Sequence, residues 1–116
     1  MILVIEDMPL VGRLITRVLR PREVEVCETG QAGLDAALRS EPDVVLCDLG
    51  LPDMPGADVV EAIVTEAPEL ASRIVLMTGG AATPEGQALV TSGRFHVLDK
   101  PFSATGLRDM VERVAG

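Results

Sequence analysis

Five polar residues stand directly behind or at the end of short apolar runs in this chain, and their types belong together chemically. Glu6 and Asp7 follow Ile2-Leu3-Val4-Ile5, Asp48 follows Val44-Val45-Leu46-Cys47, Thr78 follows Ile74-Val75-Leu76-Met77, and Lys100 follows Val97-Leu98-Asp99. Carboxylates gathered in one place repel one another unless a cation neutralises them. A hard divalent ion with oxygen ligands, most naturally Mg²⁺ with several waters retained, meets that need. Lysine adds a compact positive charge with three donors, suited to an anion lying next to a carboxylate, and a threonine hydroxyl can donate to an oxygen of the same anion. The chemistry this set supports is phosphoryl transfer onto a carboxylate. Asp48 is the candidate nucleophile, and the metal and Lys100 would neutralise charge on the phosphoryl oxygens. Gly79 and Gly80, behind Thr78, leave room for a bulky donor.

These side chains act together only if the fold brings them to one edge. Ile2–Ile5 is a continuous apolar run, as in a strand buried on both faces of a parallel sheet. Asp7 can cap a helix with Pro9 in its first turn, whose Leu10, Val11, Leu14, Ile15, Val18 and Leu19 recur at helical spacing before Pro21. Strands are expected at 23–27, 43–47, 73–77 and 95–98, and helices at 29–39, about 57–65, from Thr83-Pro84 to near Gly93, and about 103–114. Strands alternating with helices of this length imply right-handed parallel βαβ units. Five units are too few for a closed barrel and suit an open, doubly wound sheet, in which ligands sit at the carboxyl ends of the strands.

Composition narrows the function further. The 116 residues form one domain, with no internal repeat, linker or low-complexity segment. Eighteen acidic against ten basic residues give a formal net charge of −8, which repels nucleic-acid phosphates and anionic membranes. Phe95 and Phe102 are the only aromatic residues, too few for recognition by stacking. No apolar run approaches the ~20 residues of a membrane span, and no basic region precedes the first strand as in a secretory signal; a soluble, cytoplasmic domain is expected. His96 is the lone histidine and no Cys/His ligand spacing exists, so a zinc site or a Ser/His/Asp triad has little to stand on. On its strand, His96 reads as a packing residue. Cys27 and Cys47 fall on strands 2 and 3 and read as reduced core residues. Each strand-end residue alone has an ordinary explanation as a cap, turn or strand terminator. Their recurrence at the same kind of position in a five-unit fold does not.

The sequence resembles the receiver domains of two-component response regulators over essentially its whole length. The resemblance is carried by Val-Ile-Glu-Asp at 4–7, Val-Val-Leu-Cys-Asp-Leu-Gly-Leu-Pro-Asp-Met-Pro-Gly at 44–56, Val-Leu-Met-Thr-Gly at 75–79 and Asp-Lys-Pro-Phe at 99–102. It implies a flavodoxin-like α/β fold, a five-stranded parallel sheet of order 2-1-3-4-5 with five helices. In that order strand 1 separates the two cysteines by roughly 9–10 Å, two strand spacings, beyond disulfide reach. It further implies that Asp48 is the phosphoacceptor, that Glu6, Asp7, Asp48 and the backbone carbonyl of Gly50 bind Mg²⁺, and that Thr78 and Lys100 contact the phosphoryl group. The Lys100-Pro101 bond is commonly cis in such domains.

The implied function is a phosphorylation-controlled signalling switch and not an enzyme in its own right. Its phosphoryl group would come from a histidine kinase or histidine phosphotransfer protein, and homodimerisation through the last two helices is one arrangement open to it. Residues 1–116 are expected to be the receiver alone, without an effector domain: a stand-alone receiver or a segment of a larger regulator or hybrid kinase. The chain departs from the family at Val97, where a Tyr or Phe is usual three residues before the lysine. A short, stiff β-branched side chain cannot swing into a vacated space, so activation is expected to reorder the loop from Gly79 to Ala82 and the helix start at Pro84, with the edge between the last two helices as the surface that partners read.

Three other readings fit less well. A phosphatase of the haloacid dehalogenase type would want a second aspartate two residues after the nucleophile, where Gly50 stands. An FMN carrier would need a phosphate-binding loop after strand 1, where Glu6 and Asp7 would repel the phosphate. A pseudo-receiver serving only as a docking module would show the loss of a site residue, and none is lost.

Overall fold

In the computed structural model, which describes residues 1–79 and 83–116, the apolar runs form one sheet. Strands β1 (Ile2–Ile5), β2 (Val24–Cys27), β3 (Val44–Asp48), β4 (Ile74–Thr78) and β5 (His96–Asp99) are all parallel and ordered β2-β1-β3-β4-β5. The connections carry helices α1 (Pro9–Leu19), α2 (Gly30–Ser40), α3 (Gly56–Glu66) and α4 (Pro84–Thr91), and α5 (Ala104–Ala115) closes the chain. The fold is the flavodoxin-like α/β architecture expected from the sequence.

Side-chain alternation along the strands divides the core in two. Leu3, Ile5, Val45, Cys47, Ile74 and Leu76 pack under α2, α3 and α4 through Ala36, Ala37, Val60, Ile63 and Leu89. Ile2, Val4, Val44, Leu46, Val75 and Met77 pack under α1 and α5 through Ile15, Leu19, Leu107 and Val111. The central strands β1 and β3 are buried at every position, which explains their unbroken apolar sequence. Edge strand β2 is only half-buried until Cys27. Ile5 is in register with Cys27 on one side and Cys47 on the other, so β1 separates two buried, free thiols as expected.

The structure corrects the sequence reading at several points. Asp7 does not cap α1. The N-cap is Met8, which makes no side-chain cap hydrogen bond, while the main-chain oxygen of Met8 accepts from Val11 and Gly12 N. The turn into α1 is set instead by Pro9 in the first turn and by the Glu6 carboxylate, whose Oε2 accepts from Met8 N at 3.2 Å. Between α3 and β4, where no element was expected, Pro68–Arg73 forms a 3₁₀ helix that buries Leu70. The peptide bond before Pro101 is cis, as the resemblance implies, and the one before Pro21, for which nothing was expected, is cis as well. Val97 packs partly buried against the α2/α3 side of the core. Gly80 to Ala82, the centre of the loop expected to reorder on activation, lie outside the described residues.

Candidate functional site

Because the sheet is parallel, every strand ends at the same edge. Glu6 and Asp7 leave β1, Asp48 ends its neighbour β3, Thr78 ends β4, and Lys100 follows β5. The registry of β4 with β5 sets Thr78 opposite Asp99, and Lys100 N then donates to Thr78 O at 2.7 Å. A cleft of about 350 Å³ opens at this edge, lined by Met8, Asp48, Leu49, Gly50, Thr78, Gly79, Thr83 and Lys100. Asp48, Thr78 and Lys100 line the cleft, and Glu6 and Asp7 join them through the carboxylate cluster with Asp48 and the Lys100–Glu6 ion pair, although the five span the chain from residue 6 to residue 100.

The electrostatic centre is a lysine among carboxylates. Lys100 Nζ lies 2.6 Å from Glu6 Oε1 and 3.4 Å from Asp48 Oδ1. Glu6 is wholly buried and Asp48 is 8% exposed. Burial pushes the Glu6 carboxyl above its usual value, and the Asp48 charge adds to that rise against the opposing effect of the Lys100 hydrogen bond. Burial alone would lower the Lys100 ammonium. Its hydrogen bond to Glu6 and the charges of Asp48 and Glu6 outweigh that, and the group is held above its ordinary value. Burial thus drives the Glu6 shift and opposes that of Lys100, and the excess of negative over positive charge in the pocket raises both.

One oxygen from each of Glu6, Asp7 and Asp48 can lie within 4.8 Å of the others, a cluster of hard donors compatible with a divalent cation. The three are not equivalent. Both oxygens of Glu6 are already engaged, Oε1 by Lys100 and Oε2 by Met8 N. Asp48 Oδ1 accepts from Gly50 N at 3.3 Å, while Oδ2 accepts no hydrogen bond among the described residues. Asp7 is half-buried. Gly50 is exposed at the start of the loop and brings backbone to the rim of the cleft. The donor set suits Mg²⁺, with Asp7 and Asp48 as its free carboxylates. Cys47, one residue from Asp48, is a different case, because burial pushes its thiol far up and keeps it a protonated core residue.

The sequence reading missed Asp53. It lies in the loop after β3 yet takes no part in the acidic cluster: its carboxylate accepts from Gly30 N at 2.7 Å and Gln31 N at 3.0 Å, at the start of α2. These two amide donors, Gly30 first, hold its carboxyl below the usual range.

The family model of the response regulator receiver domain matches residues 2–112. The chain belongs to the response regulator receiver family. Among curated proteins, this receiver domain is 34% identical over 104 residues to a probable transcriptional regulatory protein, TcrX, of Mycobacterium tuberculosis, covering 88% of this chain and 44% of that protein. It is 33% identical over 106 residues to the regulatory protein LuxO of Vibrio cholerae, covering 90% of this chain and 23% of that protein. It thus spans less than half the length of these relatives. Among solved structures, the receiver domain of a sensor histidine kinase from Pseudomonas aeruginosa superposes with a TM-score of 0.87 at 26% identity, covering 99% of this chain and 96% of that one, and carries a magnesium ion coordinated in its active-site cleft. No helix among the described residues is long and apolar enough to cross a membrane.

Proposed function

We propose that this receiver domain accepts a phosphoryl group on Asp48 from a histidine kinase or histidine phosphotransfer protein and thereby switches its protein-binding surface. The observation that carries the reading is the lysine-bridged pair at the cleft: a nearly buried aspartate whose Oδ1 is held by Gly50 N and faces Lys100, with Oδ2 unengaged among the described residues. An Asp48 oxygen attacks phosphorus in line. The bond from phosphorus to the donor's histidine nitrogen breaks, its electron pair stays on the imidazole, and an acyl phosphate remains. Lys100, freed to move from Glu6 toward the new anion, and the Thr78 hydroxyl would hold the phosphoryl oxygens. Asp7, Asp48 and the Gly50 carbonyl, with Glu6 beside them, would hold Mg²⁺, which supplies further neutralisation of those oxygens. No step needs His96 or either cysteine.

The donor's approach is favoured over α1. Met8, which lines the cleft, and Leu10 and Leu14 on α1 are exposed, and from residue 8 to residue 22 the chain carries Arg13, Arg17, Arg20 and Arg22 with no acidic residue, in a chain of net charge −8. None of these arginines is ion-paired among the described residues. An apolar, basic helix beside the cleft suits a phosphodonor surface of acidic character. The edge between α4 and α5, where partners were expected to bind, exposes no large hydrophobic side chain among the described residues.

Incubation with Mg²⁺ and acetyl phosphate, followed by intact mass, tests the acceptor. One added phosphoryl group is expected on the wild type, and none on Asp48→Asn, which keeps the size of the side chain and removes the nucleophile. Undiminished labelling of that variant would put the acceptor elsewhere, and an unlabelled wild type would favour the docking-module reading.

A further inference from the structure

Between β3 and α3 the chain makes an excursion, residues 49–55, whose two ends are closed tightly. Leu49 N donates to Met77 O at 3.1 Å, and Gly56 N donates to Leu49 O at 3.3 Å. Residue 56 must be glycine for this closure, since a Cβ there would lie 2.5 Å from the Asp48 main-chain oxygen. The far side of the loop has a separate anchor. Asp53 Oδ1 and Oδ2 accept from Gly30 N and Gln31 N, two of the first-turn amides of α2 that have no partner within their own helix. Met54 completes the seat. A Cβ on Gly30 would approach its Cγ to 2.6 Å, so α2 begins with a glycine where the loop presses against it.

This anchor is more than α2 needs to be capped. Thr29 is already its N-cap, and the threonine hydroxyl accepts from Ala32 N at 3.1 Å. Asp53 adds a second cap from 23 residues away in sequence. An ionised carboxylate at a helix N-terminus is favoured by the partial positive charge there, so the bond pulls the loop as much as it caps the helix. What the loop carries is Gly50, whose N–H orients Asp48 Oδ1 at 3.3 Å and whose carbonyl belongs to the proposed metal set.

We propose that Asp53 is a positioning residue of the phosphoacceptor site: by tying the tip of the β3–α3 loop to α2, it fixes the Gly50 backbone against Asp48 and so sets the affinity for Mg²⁺. This rests on the reading of the site as a Mg²⁺-dependent phosphoacceptor. Groups that orient metal ligands typically change affinity by about 10–100-fold when removed. An exposed loop with a second anchor at each end falls at the lower limit.

The test compares wild type, Asp53→Ala, Asp53→Asn and Thr29→Ala. Mg²⁺ is titrated into ¹⁵N-labelled protein, and acetyl phosphate labelling is followed at low and saturating Mg²⁺. Asp53→Ala is expected to weaken Mg²⁺ binding about tenfold and to slow labelling at low Mg²⁺, with the deficit closing as the ion is raised. Asp53→Asn keeps one acceptor oxygen and should lie between. Thr29→Ala removes the other cap of the same helix and should leave the Mg²⁺ affinity unchanged. Equal affinity in Asp53→Ala and wild type would overturn the proposal, as would an equal loss in Thr29→Ala, which would make the effect one of helix stability. Should Asp53→Ala not fold, Asp53→Asn against Thr29→Ala decides alone. A wild type that neither binds Mg²⁺ nor becomes labelled instead defeats the phosphoacceptor reading, and this inference with it.

Discussion

The two acidic junctions at the centre of the sheet, β1–α1 and β3–α3, deliver carboxylates to one cleft by opposite means. At β1–α1 the connection is short and held from inside the site: Glu6 is wholly buried, one oxygen fixing Met8 N and the other taking Lys100 from across the sheet. Its outer side is unrestrained by any side-chain cap and exposes Met8 and Leu10. At β3–α3 the connection is longer and held from outside, by Asp53 on α2 and by the return of α3 onto Leu49. Its carboxylate, Asp48, keeps an oxygen free of hydrogen bonds among the described residues. The first junction locks its buried acid, Glu6, with a counter-ion and presents Asp7 and a bare helix face, while the second locks its backbone and leaves its own acid, Asp48, with that unengaged oxygen. The proposed phosphoacceptor and docking surfaces would thus lie side by side without sharing restraints.

The sharpest way to break this asymmetry is to remove the counter-ion. Lys100→Ala leaves the Glu6 carboxylate buried with only Met8 N as partner. Without divalent metal this should reduce stability by about 2–4 kcal/mol at neutral pH, less than for a fully buried pair because the lysine is partly exposed. The pH dependence has a definite sign. The folded-state pKa of Glu6 is raised, so its contribution is fully present below the unfolded carboxyl value of roughly 4.3 and is lost as pH rises through the folded value. Lys100, also raised, keeps its own contribution until pH exceeds the ordinary lysine range. Urea denaturation should therefore show the deficit of Lys100→Ala widening from pH 5 to pH 8. A deficit independent of pH would mean that packing of the lysine stem, and not its charge, holds the β1 junction.

Divalent metal should act on both junctions together. Glu6, Asp7 and Asp48 carry more negative charge than Lys100 balances, so Mg²⁺ is expected to raise the thermal midpoint by mass action. The gain is about 1–2 kcal/mol with the ion at several-fold Kd. Asp7→Asn should erase most of it, since Glu6 is occupied by Lys100 and Met8. A midpoint indifferent to Mg²⁺ would leave the cluster without its cation.

The two junctions also differ in how much of them the sequence discloses. Glu6, Asp7, Asp48 and Thr78 were legible because they end or follow continuous apolar strands, Lys100 because it follows the shorter run Val97-Leu98-Asp99, and a parallel sheet must bring all strand ends to one edge. Period and burial alone dictate that outcome. Asp53 was not legible as an anchor. It sits in a Pro- and Gly-rich loop where an aspartate reads as turn chemistry, and its partners are main-chain amides with no side-chain signature. Asp7 misled for the opposite reason. It has the right type and place for an N-cap, but Glu6 already holds the turn, leaving Met8 as the cap. The 3₁₀ helix at Pro68–Arg73 hid because a single buried residue, Leu70, carries no periodicity.

The smallest effect on the protein itself is expected at the exposed face of the β1 junction. Leu10 and Leu14 lie one helical turn apart on α1, 71% and 51% exposed, so replacing both with serine removes little buried surface. Stability should change by no more than about 0.5 kcal/mol, and labelling by acetyl phosphate, which needs no docked protein, should proceed at the wild-type rate. Transfer from a phosphorylated histidine phosphotransfer protein that loads the wild type should fall by about five- to tenfold, the loss associated with an anchor residue of an interface. Arg13→Ala and Arg17→Ala should lower the same transfer at low ionic strength and converge on the wild type as salt is raised, because exposed charges act through a screened field. If the leucine changes slowed both donors alike, α1 would be acting on Asp48 through the cleft, and the separation between the two junctions would not hold.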